Sequence, residues 1–210
     1  IGAAERGADV VIWDRNAQAA SAVALEISEA GGRASATAVD VTDTTAVAAE
    51  ALAAGPVDVL INNAGVVTGK RLLDASEEQI RRTFEVNALA LYWTTRAFLP
   101  GMLERGRGKV VTIASAAGLV GVAKQTDYAA SKWAAFGFTE SLRAELRTEG
   151  APVSTLIVAP YFIDTGMFAG VQTKVPLLLP ILQERDVARR ILDAIESGRQ
   201  QLIMPPFAAI

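Results

Sequence analysis

Apolar residues follow two rhythms along the chain. Short runs in which almost every position is apolar alternate with longer stretches where apolar residues return every three or four positions. The runs at 9–13 (DVVIW), 34–39, 57–61, 109–114 (KVVTIA), 153–158 (VSTLIV) and 201–204 (QLIM) predict buried strands. The stretches at 17–30, 44–54, 77–104, 126–148 and 186–196 predict helices. Such alternation demands right-handed crossovers, which build a parallel sheet covered by helices on both faces. The expected architecture is a single α/β domain over residues 1–210, a doubly wound, Rossmann-like sheet with no internal repeat or linker.

The opening departs from that pattern. IGAAERGADVVIWD reads as the last two turns of a helix, ended by Gly7, feeding the first strand. A doubly wound sheet normally opens with a strand and a glycine-rich loop ahead of this helix. Only four residues separate Gly2 from Gly7, too few for a crossover helix, so Gly2 is placed in the helix interior and not on a phosphate. The first strand and its glycine-rich loop are therefore expected to lie ahead of Ile1, in about 20 further residues.

Composition narrows the chemistry. The chain has no cysteine, which removes disulfides, thiolate nucleophiles and cysteine metal sites. It has no histidine, which removes the commonest general base and the commonest transition-metal ligand, and no metal site is expected. An acid–base group must then be Tyr, Lys, Asp or Glu. A net charge of -3 with no basic run gives no reason to expect a nucleic-acid partner. No apolar run approaches the roughly 20 residues of a membrane span, and no leader is visible, so the expected address is cytoplasmic.

One stretch stands out, SAAGLVGVAKQTDYAASK, residues 115–132. Tyr128 and Lys132 stand four apart and share one face of a helix. A surface tyrosine and a solvated lysine would satisfy that spacing equally well. A free phenol titrates near 10, but a fixed ammonium nearby favours the phenolate, and a bound oxidised nicotinamide would add positive charge; two such cations in a closed site would fit it for proton transfer. Ser115 falls just past a strand, at the carboxyl end where doubly wound folds bind ligands, and its hydroxyl could orient a substrate oxygen. An ordinary turn serine is the plainer alternative. Asn87 lies within the predicted helix 77–104, where asparagine is a mediocre choice unless the helix bends.

INNAGVV after a strand, the asparagine in FEVNALALYWTT, and SAAG followed by YAASK together resemble the short-chain dehydrogenase/reductase family. The resemblance runs from Gly7 to about Pro205. PYFIDTGMF, VPLLLPIL and QLIMPP are most similar to its retinol dehydrogenase and 17-beta-hydroxysteroid dehydrogenase 11 branch. The resemblance implies a catalytic set of Asn87, Ser115, Tyr128 and Lys132, with Asn87 holding a water that links the lysine to solvent. It implies a nicotinamide dinucleotide bound by Asp14, Asp40, Val41, Asn63, Ala64, Gly65, Tyr128, Lys132, Pro160, Ile163 and Thr165.

Within that set, Asp14 can accept from adenosine ribose hydroxyls and would repel a 2'-phosphate, which favours NAD over NADP. Arg15 beside it could instead accommodate that phosphate. Asp40 matches the family's adenine contact; its alternative is a helix cap, a role for which Asp43 is better placed. Backbone around Ile163 and the Thr165 hydroxyl would hold the nicotinamide carboxamide. Pro160-Tyr161 stands where family members commonly carry Pro-Gly.

Residues 162–183 correspond to the segment that closes over substrate. Phe162, Met167, Phe168, Val171 and Leu177 to Leu179 there imply an apolar alcohol or carbonyl such as a retinoid, steroid or fatty compound. The same residues would serve equally as core under a long connection. Helices 77–104 and 126–148, with Trp93 and Trp133, are apolar on more than one face, and the resemblance implies a homodimer or homotetramer built on them. The expected activity is NAD(P)-dependent interconversion of an apolar alcohol with its ketone or aldehyde. The alternatives are a 3-oxoacyl-carrier-protein-type NADPH reductase and a catalytically silent dinucleotide-binding protein.

Overall fold

The computed structural model describes residues 1–165 and 180–205. Helix α1 (Gly2–Glu5) ends before Gly7, whose φ of +89° only glycine adopts freely. Strand β1 (Asp9–Asp14) pairs in parallel with β2 (Arg33–Ala38), and α2 (Ala17–Glu29) crosses between them. Asn16 starts α2 by accepting from the amides of Gln18 and Ala19. Asp43 does the same for α3 (Thr44–Ala54) through Thr45 and Ala46, and so takes the cap role the sequence offered it.

Strand β3 (Val59–Asn62) leads through a loop to α4 (Glu77–Phe84), opened by a capping box of Ser76 and Gln79. A π-helical turn (Glu85–Leu89) joins α4 to α5 (Ala90–Glu104). Strand β4 (Gly108–Ile113), a short 3-10 turn (Ala116–Gly118) and the long α6 (Thr126–Thr148) follow. Strand β5 (Val153–Pro160), α7 (Glu184–Glu196) and β6 (Gln201–Met204) complete the described fold. No helix among the described residues is long and apolar enough to cross a membrane.

Strands β3, β4, β5 and β6 form one parallel sheet in that order, while β1 and β2 form a second. The ladder is interrupted between β1 and β3. In a doubly wound sheet of order 3-2-1-4-5-6, β2 and β1 take the first two places and β3 the fourth. No described strand holds the place between them. Val11, Val59 and Ile61 lie on the strands at this break and are 41%, 39% and 42% exposed. The two sheets still share a core, because Trp13 of β1 packs its ring 5.3 Å from that of Phe98 on α5.

Alternation along the central strands sorts the core onto two faces. On β4, Val110 packs with Phe98 and Met102 of α5 and Leu142 and Leu146 of α6. Its neighbour Val111 faces the other way, toward Val187 and Ala194 of α7. On β5, Ile157 meets Leu91 and Ala135, whereas Leu156 and Val158 join the α7 cluster. Burying each such side chain contributes about 1.5–3 kcal/mol, so these two faces hold β4 and β5 rigidly in place. That rigidity matters because β4 carries Ser115 at its carboxyl end.

Two expectations need correction. The helix expected over 77–104 is α4, a π turn and α5. The cause is local: Asn87, poor in a regular helix, turns its amide onto the backbone of Val66. The helix expected from 186 begins at Glu184, a carboxylate suited to a first turn. Of the substrate-covering segment, Met167, Phe168, Val171 and Leu177 to Leu179 lie outside the described residues. Its two described ends meet. Ile163 bridges Leu182, with Asp164 N–H donating to Leu182 O at 3.0 Å and Leu182 N–H to Phe162 O at 2.8 Å.

Candidate active site

Parallel strands deliver their following residues to one edge, and that edge gathers the expected site. Ser115 leaves β4 in extended conformation and its Oγ accepts from Ala117 N–H at 3.2 Å, opening the 3-10 turn. Gly118 closes that turn directly against α6. A Cβ on Gly118 would lie 2.8 Å from the carbonyl oxygen of Lys132, so no other residue fits without moving the backbone. Close packing of turn on helix brings the Ser115 hydroxyl close enough to the Tyr128 phenol to act on its acidity. Tyr128 is 5% exposed.

Lys132, one turn further along α6, is buried beside it. Its Nζ donates to Ile113 O at 2.9 Å and sits 5.7 Å from the centre of the Tyr128 ring. Burial sets both groups' acidity. It pushes the Tyr128 phenol above its ordinary value, with the Ser115 hydroxyl pulling the other way, and it pushes the Lys132 amine down to about 8. In the chain alone, desolvation of the phenol outweighs the pull of the Ser115 hydroxyl.

Asn87 reaches the same cluster from the π turn. Its Nδ2 donates to Val66 O at 2.9 Å and Ser131 Oγ at 3.0 Å, and its Oδ1 accepts from Val66 N–H at 2.8 Å. Both amide protons are used by protein partners. Ser131 Oγ in turn donates to Tyr128 O at 2.7 Å. Gly65 fits between these groups: a Cβ there would stand 3.5 Å from Lys132 Nζ and 3.6 Å from Asn87 Oδ1. Asn87, Ser115, Tyr128, Lys132 and Gly65 thus form one assembly.

The other expected residues lie along the same edge, outside this assembly. Asp14 is exposed at the end of β1 and accepts from Asn16 N–H at 2.8 Å. Asp40, past β2, accepts from the Thr42 amide at 3.0 Å and hydroxyl at 2.7 Å, and from Arg82 Nη2 at 3.0 Å. The Thr42 hydroxyl and the Arg82 guanidinium hold its carboxyl below the usual range, against the effect of burial. Val41 is half-buried beside it. Asn63 and Ala64 are exposed after β3, while Asn62 is buried and receives a hydrogen bond from Thr94 Oγ1 at 2.6 Å. Pro160 ends β5, buried, with Ile163 half-buried and Thr165 exposed beyond it.

Several participants were not singled out from sequence. Gly118 sat within a quoted motif, but its contact is with a backbone 14 positions away. Arg82, Thr83, Asp127 and Ser131 carry no spacing signal. A polar residue at a helix position facing the core was the only available clue.

A family model for short chain dehydrogenases matches residues 2–176. The chain belongs to the short-chain dehydrogenase family. It falls on the retinol dehydrogenase side of that family: epidermal retinol dehydrogenase 2 from Mus musculus is 47% identical over 154 residues, covering 73% of this chain and 50% of that protein. The chain spans about half the length of the curated relatives it matches. A short-chain dehydrogenase/reductase from Burkholderia phymatum in complex with NAD superposes with a TM-score of 0.84 at 27% identity, over 95% of this chain and 80% of that one. A metagenomic short-chain oxidoreductase in complex with NADP gives 0.78 at 31% identity, over 96% and 87%.

Proposed function

We propose that the chain interconverts an apolar alcohol with its aldehyde or ketone by hydride transfer, with NAD as the favoured cofactor and Tyr128 as the acid–base group. The observation that carries this reading is the Ser115 hydroxyl set beside the Tyr128 phenol, with Lys132 buried next to the ring. In a chain without histidine, this is where a proton can be given to or taken from a substrate oxygen.

The residues present fit a nicotinamide dinucleotide at its two ends. Asp14 is an exposed carboxylate at a strand end, suited to ribose hydroxyls, and Gly65 leaves room beside Lys132 Nζ for a second ribose. When bound in oxidised form, that cofactor supplies the hydride acceptor and a positive charge. Such a charge opposes the effect of burial on the phenol. The chain's own part is then distributed. Ser115 Oγ and Tyr128 Oη hold the substrate oxygen, Tyr128 Oη moves the proton, and Lys132 Nζ supports the phenolate. Asn87 and Gly65 fix the lysine's surroundings.

Apolar substrate preference is supported by Val67 and Val122, which pack against Tyr128. The retinol dehydrogenase named above, about half of whose length this chain spans, supports it as well. The outward faces of α5 and α6 expose Tyr92 and Trp133, and a twofold subunit contact there belongs to the same reading. The test is Tyr128→Phe in the complete protein, assayed with NAD and a long-chain or retinoid alcohol. Turnover falls by about 10²–10⁴-fold while NADH binding by fluorescence persists. Activity comparable to the parent would remove Tyr128 from the mechanism.

A further inference from the structure

We infer that Asp127 is a positioning residue for Tyr128, acting through a chain of hydroxyl groups that starts at Thr68 and passes through Thr83. The inference rests on the oxidoreductase reading above. Asp127 stands in the first turn of α6 immediately before Tyr128, yet it is only 5% exposed. An exposed carboxylate there would merely offset the helix dipole. A buried one must be met by donors.

Thr83 Oγ1 is that donor. It lies 3.0 Å from Asp127 Oδ2, 3.0 Å from Gln79 O and 3.1 Å from Thr68 Oγ1. A hydroxyl has one proton to give. Asp127 Oδ2 can accept from Thr83 Oγ1, so the proton goes to Asp127. Thr83 oxygen is then left to accept from Thr68. The donors align in one direction, from Thr68 to Thr83 to Asp127.

This alignment ties three elements together around the phenol. Thr68 belongs to the loop after β3, and its neighbour Val67 packs on Tyr128 and Ala129. Thr83 belongs to α4, four residues ahead of Asn87. Asn87 reaches Ser131 Oγ, which bonds Tyr128 O. The start of α6 is thus fastened at Asp127 and at Ser131, one on each side of Tyr128 in sequence. Its cap residue Gln125 makes no side-chain hydrogen bond to the helix, so the Asp127 fastening is what fixes the first turn. Where the phenol oxygen points relative to Ser115 depends on both.

The experiment measures kcat, alcohol KM and NADH dissociation in the complete protein for Asp127→Ala, Asp127→Asn, Thr83→Val and Thr83→Ser, with Tyr128→Phe alongside. Loss of the fastening lowers kcat by about 10²-fold in Asp127→Ala and Thr83→Val, the scale set by a displacement of about 1 Å. NADH dissociation stays within about threefold of the parent. Asp127→Asn keeps an acceptor oxygen and Thr83→Ser keeps the hydroxyl, so each recovers most of the rate. The Asp127→Ala/Thr83→Val double variant is no slower than the slower single one, because both cut the same link.

The inference is overturned if kcat in Asp127→Ala and Thr83→Val stays within about threefold of the parent. It is equally overturned if the conservative variants are as slow as the disruptive ones. Should Asp127→Ala fail to fold, the Thr83→Val and Thr83→Ser pair decides alone. A silent Tyr128→Phe beside normal Asp127→Ala and Thr83→Val sinks only the positioning role, whereas an active Tyr128→Phe sinks the oxidoreductase mechanism itself.

Discussion

Replacing Lys132 with methionine should stabilise the protein near neutral pH while abolishing the proposed reaction, and the size of the effect follows from the burial. Desolvation lowers the Lys132 amine from 10.5 to about 8 in the folded chain. Keeping the ammonium buried below pH 8 therefore costs about 3 kcal/mol relative to the unfolded state. Methionine avoids that cost. It loses the hydrogen bond to Ile113 O and the contact with the Tyr128 ring, together worth about 2 kcal/mol. The Lys132→Met variant should be more stable by about 1 kcal/mol at pH 7, a Tm rise of about 2–4 °C for a chain of this size.

The pH dependence makes the test sharp. Between the folded value near 8 and the unfolded value of 10.5, the unfolded state binds a proton at this amine that the folded state does not. The parent therefore gains stability as pH rises through that window, and the gain is absent below it. By pH 10 the burial cost has fallen to about 1 kcal/mol, so the order reverses and the methionine variant becomes the less stable one by about 1 kcal/mol. Groups away from this site, Lys109 included, are common to both proteins and cancel. Urea unfolding of the parent and variant at pH 7 and pH 10 gives the two differences. A stability difference that is unchanged between the two pH values would refute the claim that burial governs this lysine.

Two further outcomes are expected. Gly118→Ala puts a methyl group 2.8 Å from the Lys132 carbonyl oxygen, so unfolding should show a loss of about 1–3 kcal/mol and steady-state kinetics a lowered kcat, because the 3-10 turn must lift Ser115 away from Tyr128. Asp14→Ala should raise the KM for NAD more than that for NADP, bringing their kcat/KM ratio closer to unity by about tenfold; an unchanged ratio would show that Asp14 does not choose the cofactor.

The sequence disclosed the parts of this molecule whose signals are local. Strand-forming runs and caps such as Asp43 are written in consecutive residues, and both are found where expected. Ser115, Tyr128 and Lys132 were legible because two lie four apart on one helix and the third ends a strand, and the fold brings them together. The upward push of burial on the phenol was not legible, since desolvation depends on how completely α6 and the 3-10 turn close over the ring. Asn87 looked wrong for a helix, which was the trace of the π turn, but the bend could not be drawn without knowing that Val66 would receive its amide. Thr83 and Asp127 left no trace, because their significance is a contact between residues 44 apart.

That π turn has a consequence for which sequence changes the family can absorb here. A π turn holds about one residue more than an α turn, so deleting one residue within Glu85–Leu89 would let α4 run into α5 as an unbroken α-helix and take Asn87 from its place against Val66. Both flanks of the bulge are committed, one to the cofactor edge through Arg82 and the other to the core through Phe98. The loss of a residue at this point is therefore felt at Asn87: the flanks keep their packing, and what goes is the hold of one amide on Val66 and Ser131.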